Sequence, residues 1–482
     1  MEYLGWFFLG LLLGGVAAYL IMAKFISSVF GNRGSRNPVA SLLRTHFLPT
    51  PIDNITISER SFPFRMRADL QRTIDKLFGE DIKVHHFSGV RSEYSHGSPT
   101  LSDCMFESPG NPTFSIPPEY EELDIGEAEP LRVLKVGLWL LESNGVKFVV
   151  MLAPTGSYGE ITGMQFQIGA PNSPEGSQIT QRFFKSLEEA VSKGESYRGK
   201  ILSLEKTAHS YSGESSGVCV HKLHTVEREQ VILPAETLAL LERNVINFAE
   251  NRDRLSGLGM SKKKGILFYG PPGTGKTHTL HHLASALPDH TTLLIAAEQV
   301  ALLSEYMTLA RLLQPSIVVM EDVDLIARER SSMESPCEEV LLNKLLNEMD
   351  GLKEDAAVLF ILTTNRPETL EAALASRPGR VDQAIEFPLP DEVGRKKLVA
   401  LYSPKMQFDE SLVTEIVKRT EGVSASFLKE LMRRSAQYAV ERSTDDSLQR
   451  EDVDQALDEM LFKGGTLNRK LLGASEQVNC TA

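Results

Sequence analysis

The 482-residue sequence is poor in cysteine and has no excess of positive charge. Its four cysteines, Cys104, Cys219, Cys337 and Cys480, are far apart and form no Cys-x-x-Cys pair. That excludes a disulfide framework and a thiolate zinc site, and it fits a reducing compartment. The formal net charge of -13 argues against a nucleic-acid surface, because neutralising phosphates takes a clustered excess of Lys and Arg; no nucleic-acid partner is expected. No His-Glu-x-x-His sequence is present, which excludes a zincin-type protease. Low complexity is absent as well: 42% hydrophobic and 24% charged residues are ordinary for globular protein. The length exceeds one ordinary core, so two folded domains with an anchor and tails are expected.

Charge is also missing from Tyr3 to Ala23, a run of 21 residues. As a helix it spans roughly 31 Å, the thickness of a bilayer's hydrocarbon core. With no basic n-region and no small-x-small cleavage site, it reads as a transmembrane anchor within residues 1–26 and not as a signal peptide. Only Glu2 precedes it, whereas Lys24, Arg33, Arg36 and Arg44 follow, so a single-pass protein with its C-terminal bulk in the cytosol is expected. A mitochondrial inner membrane is the alternative, against which stands the lack of an Arg- and Ser-rich leader.

Residues 27–55 lack clear periodicity and read as a linker. Residues 56–205 read as a small α+β domain. Leu70, Ile74, Leu77 and Phe78 predict a short amphipathic helix over Asp69–Phe78. Ser92–Pro130 is crowded with Ser, Pro, Gly and acidic residues and reads as a long loop. Val133–Leu141 and Val146–Leu152 are strand-like and joined through Asn144-Gly145, the pair a type I′ hairpin prefers. A third strand over Ile161–Ile168 and a helix that ends at Gly194 complete the domain. It carries no nucleophile with its base and no metal-ligand cluster, so binding or spacing is its expected task. A second linker is expected at 206–230.

The chemistry begins at Ile266–Tyr269, a short apolar strand followed by Gly270-Pro271-Pro272-Gly273-Thr274-Gly275-Lys276-Thr277-His278 and a helical run through Leu280, Leu283 and Leu287. Glycines let backbone N–H groups turn toward phosphates, and the helix N-terminus adds positive potential. Lys276 reaches the β and γ phosphates, and the Thr277 hydroxyl ligates magnesium. Downstream, the apolar strand Ile317–Met320 ends in Glu321-Asp322, placing carboxylates beside the phosphate loop. Glu321 is expected to hold Mg²⁺ through water and Asp322 to polarise the attacking water. A third strand, Val358–Leu362, carries Thr363-Thr364-Asn365, whose amide is placed to position that water. Ser376-Arg377-Pro378-Gly379-Arg380 is a basic turn.

Taken in order, GPPGTGKT, the strand with its paired acids, LLNEMDG, TTNRP and ALASRPGR resemble the AAA ATPase family over about Val231–Phe462. The resemblance implies a large α/β subdomain at 231–390, a parallel sheet flanked by helices, and a small helical lid at 391–465 before a tail at 466–482. It implies ATP and Mg²⁺ as ligands, Arg377 and Arg380 as fingers reaching a neighbour's site, and a homo-oligomeric ring, usually a hexamer.

Three departures stand out. The acids run Glu321 then Asp322 where the family has Asp then Glu. The segment before Ile317 is short for an aromatic pore loop, so Tyr306 is expected to pack in a helix. The lid's Gly422–Phe427 offers no nucleotide-sensing arginine. With the N-terminal hydrophobic run and the intervening domain, these features resemble the mitochondrial Rieske-protein translocase type. The expected activity is ATP hydrolysis coupled to remodelling, assembly or translocation of a protein client; the alternative is a membrane scaffold or gate driven by ATP binding.

Overall fold

The computed structural model describes residues 38–78, 82–92, 98–106, 112–157, 160–205, 217–324, 344, 347–368, 380–442 and 447–463. The chain divides into two compact units, Met1–Leu123 with Leu131–Val191, and Asp124–Pro130 with Ser192–Ala482.

The first unit is a mixed layer structure on one antiparallel sheet. Its strands are β1 (Ile55–Pro63), β2 (Lys83–Ser92), β3 (Thr113–Ile116), β4 (Glu119–Leu123), β5 (Leu131–Ser143), β6 (Val146–Ser157) and β7 (Glu160–Pro171). They run in the order β1-β7-β6-β5-β2-β3, with β4 paired to β5. Asn144 and Gly145 both take positive φ, 50° and 77°, the geometry a two-residue I′ turn demands between β5 and β6. The helices are α1 (Val39–Phe47), α2 (Arg67–Leu77), α3 (Leu101–Met105) and α4 (Pro174–Lys193). The near-continuous apolar runs of β5 and β6 follow from burial on both faces. Trp139, Leu141, Phe148 and Val150 pack with α2 and α4, while Leu138, Leu140, Val149 and Met151 pack with α1 and α3.

Two expectations change here. The stretch expected as a linker at 27–55 contains α1, because Val39, Leu43 and Phe47 recur every four residues and are buried. The stretch expected as a loop at 92–130 contains α3, β3 and β4. Thr100 and Asp103 close a capping box at the start of α3, a local signal that outweighs a polar composition.

The single-pass membrane arrangement is also corrected. Among the described residues no helix is long and apolar enough to cross a membrane. The longest, α4, has 20 residues but carries charge along its length, including Glu175, Arg182, Lys185 and Glu188. Residues 3–23, on which that expectation rested, lie outside the described residues. The cytosol-facing and mitochondrial versions fall with it.

The second unit holds an α/β module. Its strands β8 (Ile201–Leu204), β9 (Val218–His221), β10 (Lys264–Tyr269), β11 (Thr291–Ile295), β12 (Ser316–Met320), β13 (Val358–Thr364) and β14 (Gln383–Glu386) lie in the order β14-β10-β13-β12-β11-β8-β9. All neighbours are parallel except β8 and β9. Every residue of β12 and β13 is buried, as a doubly covered parallel sheet requires. Strand β8, within the residues expected to close the small domain, thus pairs with β11, and β9 lies in the stretch expected as a linker.

The unit's helices include α5 (Ala235–Leu241), α6 (Asn247–Gly257), α7 (Lys276–Ala286) and α8 (Leu303–Leu312). A separate helical cluster follows, α9 (Glu392–Tyr402), α10 (Glu410–Arg419), α11 (Ala425–Arg442) and α12 (Arg450–Asp458), around Ile416, Phe427, Leu428, Leu431 and Val453. Asp391 and Asp409 cap α9 and α10 by accepting from Gly394 N and Leu412 N. Four central strands, β10, β13, β12 and β11, present their C-terminal ends to one edge, where crossover loops gather side chains.

Candidate nucleotide site

The phosphate loop leaves β10 and enters α7. Gly270, Gly273 and Gly275 take φ of +147°, +76° and +100°, backbone that side-chain-bearing residues rarely adopt. Gly273 is constrained twice: a Cβ there would come within 2.8 Å of Ser426 Oγ and 3.0 Å of Ser424 Oγ. Ser426 N also donates to Gly273 O at 3.1 Å, so the start of α11 rests on the loop. This lid contact goes through small hydroxyl residues and backbone, without an arginine.

Lys276 opens α7 and is buried. Its ammonium donates to Gly270 O at 2.8 Å and Pro271 O at 2.9 Å. Desolvation holds its pKa below the usual lysine value, opposed by the charges of Asp322 and Asp324. A desolvated ammonium at a helix N-terminus, inside a loop of left-handed glycines, is a strong attractor for a polyphosphate. Thr274 Oγ1 donates to Pro271 O at 2.9 Å and holds the loop's turn.

Strands β12 and β13 bring the acids and the amide together. Thr277 Oγ1 donates to Glu321 Oε1 at 2.8 Å, uniting a hydroxyl and a carboxylate oxygen, the hard-donor set Mg²⁺ prefers. Asn365 Nδ2 donates to Asp322 Oδ1 at 3.0 Å, and Asp322 N donates to Thr363 Oγ1 at 3.0 Å. Thr274, Lys276, Thr277, Glu321, Asp322 and Asn365 therefore belong to one edge of one sheet. The donor types and the glycine cradle fit a magnesium–nucleoside triphosphate.

Asp324 carries a task that its place in the sequence leaves hidden. It is 4% exposed and accepts from Thr364 Oγ1 at 2.8 Å and Asn365 N at 3.1 Å. It thereby locks the end of β13 to the turn after β12 and aims the Asn365 amide at Asp322. The signal available was a third acid two residues after Asp322, facing a Thr-Thr-Asn strand end.

His278 exposes part of its ring beside the loop, but its Nε2 meets Gln230 O at 3.2 Å. Tyr306 is fully buried in α8. Its hydroxyl accepts from Leu204 N at 2.7 Å and donates to Gln299 Oε1 at 2.9 Å. It is a core residue of the sheet's β8 edge.

Arg380 is not part of this cluster. Arg377 lies outside the described residues. Arg380 forms an ion pair with Asp350, and its carbonyl packs against Gly265 at the start of β10, the end opposite the phosphate loop. At about 3.3 Å per residue the strand separates them by roughly 16 Å, so Arg380 does not serve its own chain's loop.

Residues 266–389 match the family model "ATPase family associated with various cellular activities (AAA)". The chain is similar to ATP-dependent zinc metalloprotease FtsH 2 of Symbiobacterium thermophilum, 30% identical over 246 residues, 48% of this chain and 42% of that protein. It is similar to the proteasome-activating nucleotidase of Methanoculleus marisnigri, 34% identical over 215 residues, 42% of this chain and 52% of that protein. The proteasome-activating nucleotidase of Methanocaldococcus jannaschii is 28% identical over 354 residues, 71% of this chain and 77% of that protein. The chain spans about half the length of the first two relatives.

Proposed function

From the premise that residues 266–389 are an ATPase domain of the AAA family, we propose that the chain converts ATP and water to ADP and phosphate and uses the cycle to act on a protein client. The carrying observation is the paired arrangement at the sheet edge, Thr277 with Glu321 and Asp322 with Asn365, around the buried Lys276. Lys276 and the N–H groups of 273–277 bind the β and γ phosphates. Thr277 and Glu321 would hold Mg²⁺, which would supply positive charge against the charge developing on the phosphates. Asp322 accepts the proton of the attacking water while Asn365 fixes the carboxylate's direction.

A homo-oligomeric ring, with a hexamer as the working assembly, supplies Arg377 and Arg380 to the neighbouring site. What supports it for Arg380 is its separation from its own phosphate loop. Relatives named as proteasome-activating and as an ATP-dependent protease support a protein client. The order Glu321-Asp322 and the short segment before β12 resemble the Rieske-protein translocase type. The burial of Tyr306 favours a second reading, in which ATP binding drives a conformational change and hydrolysis resets it.

Phosphate release by the full chain tests the assignment. Lys276→Ala abolishes MgATP uptake, and Asp322→Asn lowers turnover about 10²- to 10⁴-fold while leaving uptake intact. Undiminished turnover in both variants refutes it. Client remodelling that survives in Asp322→Asn but not in Lys276→Ala selects the second reading.

A further inference from the structure

Two histidines one turn apart on α7 face the segment that leads into the ATPase domain. His278 Nε2 lies 3.2 Å from Gln230 O, and His282 Nδ1 lies 2.9 Å from Val226 O. A carbonyl only accepts, so both ring nitrogens carry hydrogen: the neutral His278 is the Nε2–H tautomer and the neutral His282 the Nδ1–H tautomer. Residue 278 pairs with 230 and 282 with 226, so the segment runs antiparallel to the helix.

This match needs a shortened segment. Four extended residues span roughly 13 Å, whereas one helical turn rises about 6 Å over four residues. A 3-10 turn at Arg228–Gln230 takes up the difference, closed by Glu227 N donating to Gln230 Oε1 at 2.8 Å. Arg228 adds an ion pair to Glu242 at 2.6 Å.

Beyond Gln230 the segment bridges two cores. Ile232 packs against the helical lid cluster, and Leu233 against the core of the sheet. On the other side, His278 directly follows Thr277, whose hydroxyl meets Glu321. A displacement of the start of α7 therefore has a bonded route to Gln230 and, two residues on, to the lid.

We infer that His278 and His282 are positioning residues that clasp residues 226–233 to the phosphate-loop helix and relay nucleotide occupancy to the helical lid. They act through main-chain carbonyls and touch no reacting atom. The inference rests on the nucleotide reading above.

The test uses the full chain and three measurements: affinity for fluorescent N-methylanthraniloyl-ATP, steady-state phosphate release, and hydrogen exchange of residues 226–233 with and without Mg²⁺ and the non-hydrolysable analogue AMPPNP. In the wild type the analogue slows exchange at 226–233. His278→Ala and His282→Ala lose most of that ligand-dependent protection and raise KM about 5-fold, the scale of one lost hydrogen bond, with kcat changed less than about 2-fold. His278→Gln, whose amide reaches the position of Nε2, and His282→Asn, whose amide stands in for Nδ1, restore both. The restoring pair carries the test if an alanine variant does not fold. Alanine variants with wild-type KM and protection overturn the inference, as do Gln and Asn variants no better than Ala. A wild type that neither binds the fluorescent nucleotide nor releases phosphate overturns the nucleotide reading and this inference together. Binding in the wild type that Lys276→Ala leaves unchanged overturns the reading of the loop, whatever the histidine variants do.

Discussion

Asn365 Nδ2 holds Asp322 Oδ1 at 3.0 Å while Asp322 itself sits at φ +48°, in left-handed backbone. Among side-chain-bearing residues, Asp and Asn enter that region most readily because their short polar side chains bond locally. The conformation gives a physical reason for an aspartate at this position, since a glutamate there would carry added strain. Asp322→Glu is expected to lower unfolding free energy by about 1 kcal/mol, read from urea denaturation. Asp322→Asn is expected to leave the urea midpoint nearly unchanged while turnover collapses. Equal stability of the Asp and Glu forms would remove the conformational explanation of the acid order.

Lys276 is buried, and desolvation depresses its pKa even though Asp322 and Asp324 pull the other way. The folded state without nucleotide therefore binds fewer protons at this group than the unfolded state, and its contribution to stability rises with pH through the range just below the ordinary 10.5. Replacing the ammonium removes a desolvation penalty. Lys276→Met is expected to melt at or above the wild-type temperature without nucleotide, and to lose the upward shift that saturating MgATP gives the wild type. Calorimetry in both conditions reads the result; a Met variant that melts several degrees lower without nucleotide contradicts it.

Arg380 pairs with Asp350 at the start of β10, at the far end from its own phosphate loop. If it serves a neighbour, loss of function is shared between subunits. Mixing wild type with Arg380→Ala is expected to depress phosphate release more steeply than in proportion to the mutant fraction. The pure variant should lose about 10³-fold in kcat with little change in nucleotide affinity. A linear mixing curve would place the action of Arg380 within one chain.

His290 is 9% exposed, and its pKa is lowered to about 4 by burial and then by the charge of Arg252, whose Nη2 lies 3.2 Å from its Nε2. The unfolded state takes a proton near 6.5 that the folded state refuses until about 4, so stability falls as pH drops through that window. The loss is on the order of 3 kcal/mol by pH 4. Denaturation midpoints at pH 7.5, 6 and 5 should decline in the wild type and decline less in His290→Gln. Parallel slopes in the two proteins would assign the acid sensitivity to other groups.

The nucleotide edge was legible because each of its parts joins a periodicity to a chemistry. An apolar strand ends in glycines and Lys276, another ends in Glu321-Asp322, and a third in Asn365, and parallel strands of such a sheet must end on one side. Asp324 was less legible because three acids after one strand look alike until the register of β13 brings Thr364 to one of them. The seat of Ser426 on Gly273 depends on where the lid helix meets the loop, which no local pattern reports. Helix α1 and strand β8 are hidden in the sequence for a similar reason. Nine apolar-patterned residues beside a polar stretch, or four beside a polar run, carry little signal until a distant partner pairs with them.

Pairing of β8 with β11 through Thr292–Ile201 and Leu293–Leu202 also fixes where the chain tolerates shortening. A fragment started at Val231, where the family resemblance begins, would strip β8 and β9 and leave the N–H and C=O row of β11 bare at the edge of the sheet. Bare rows of that kind recruit other chains into filaments and precipitates. An expressible catalytic fragment therefore has to start upstream of Ile201, retaining the hairpin as the sheet's own stopper.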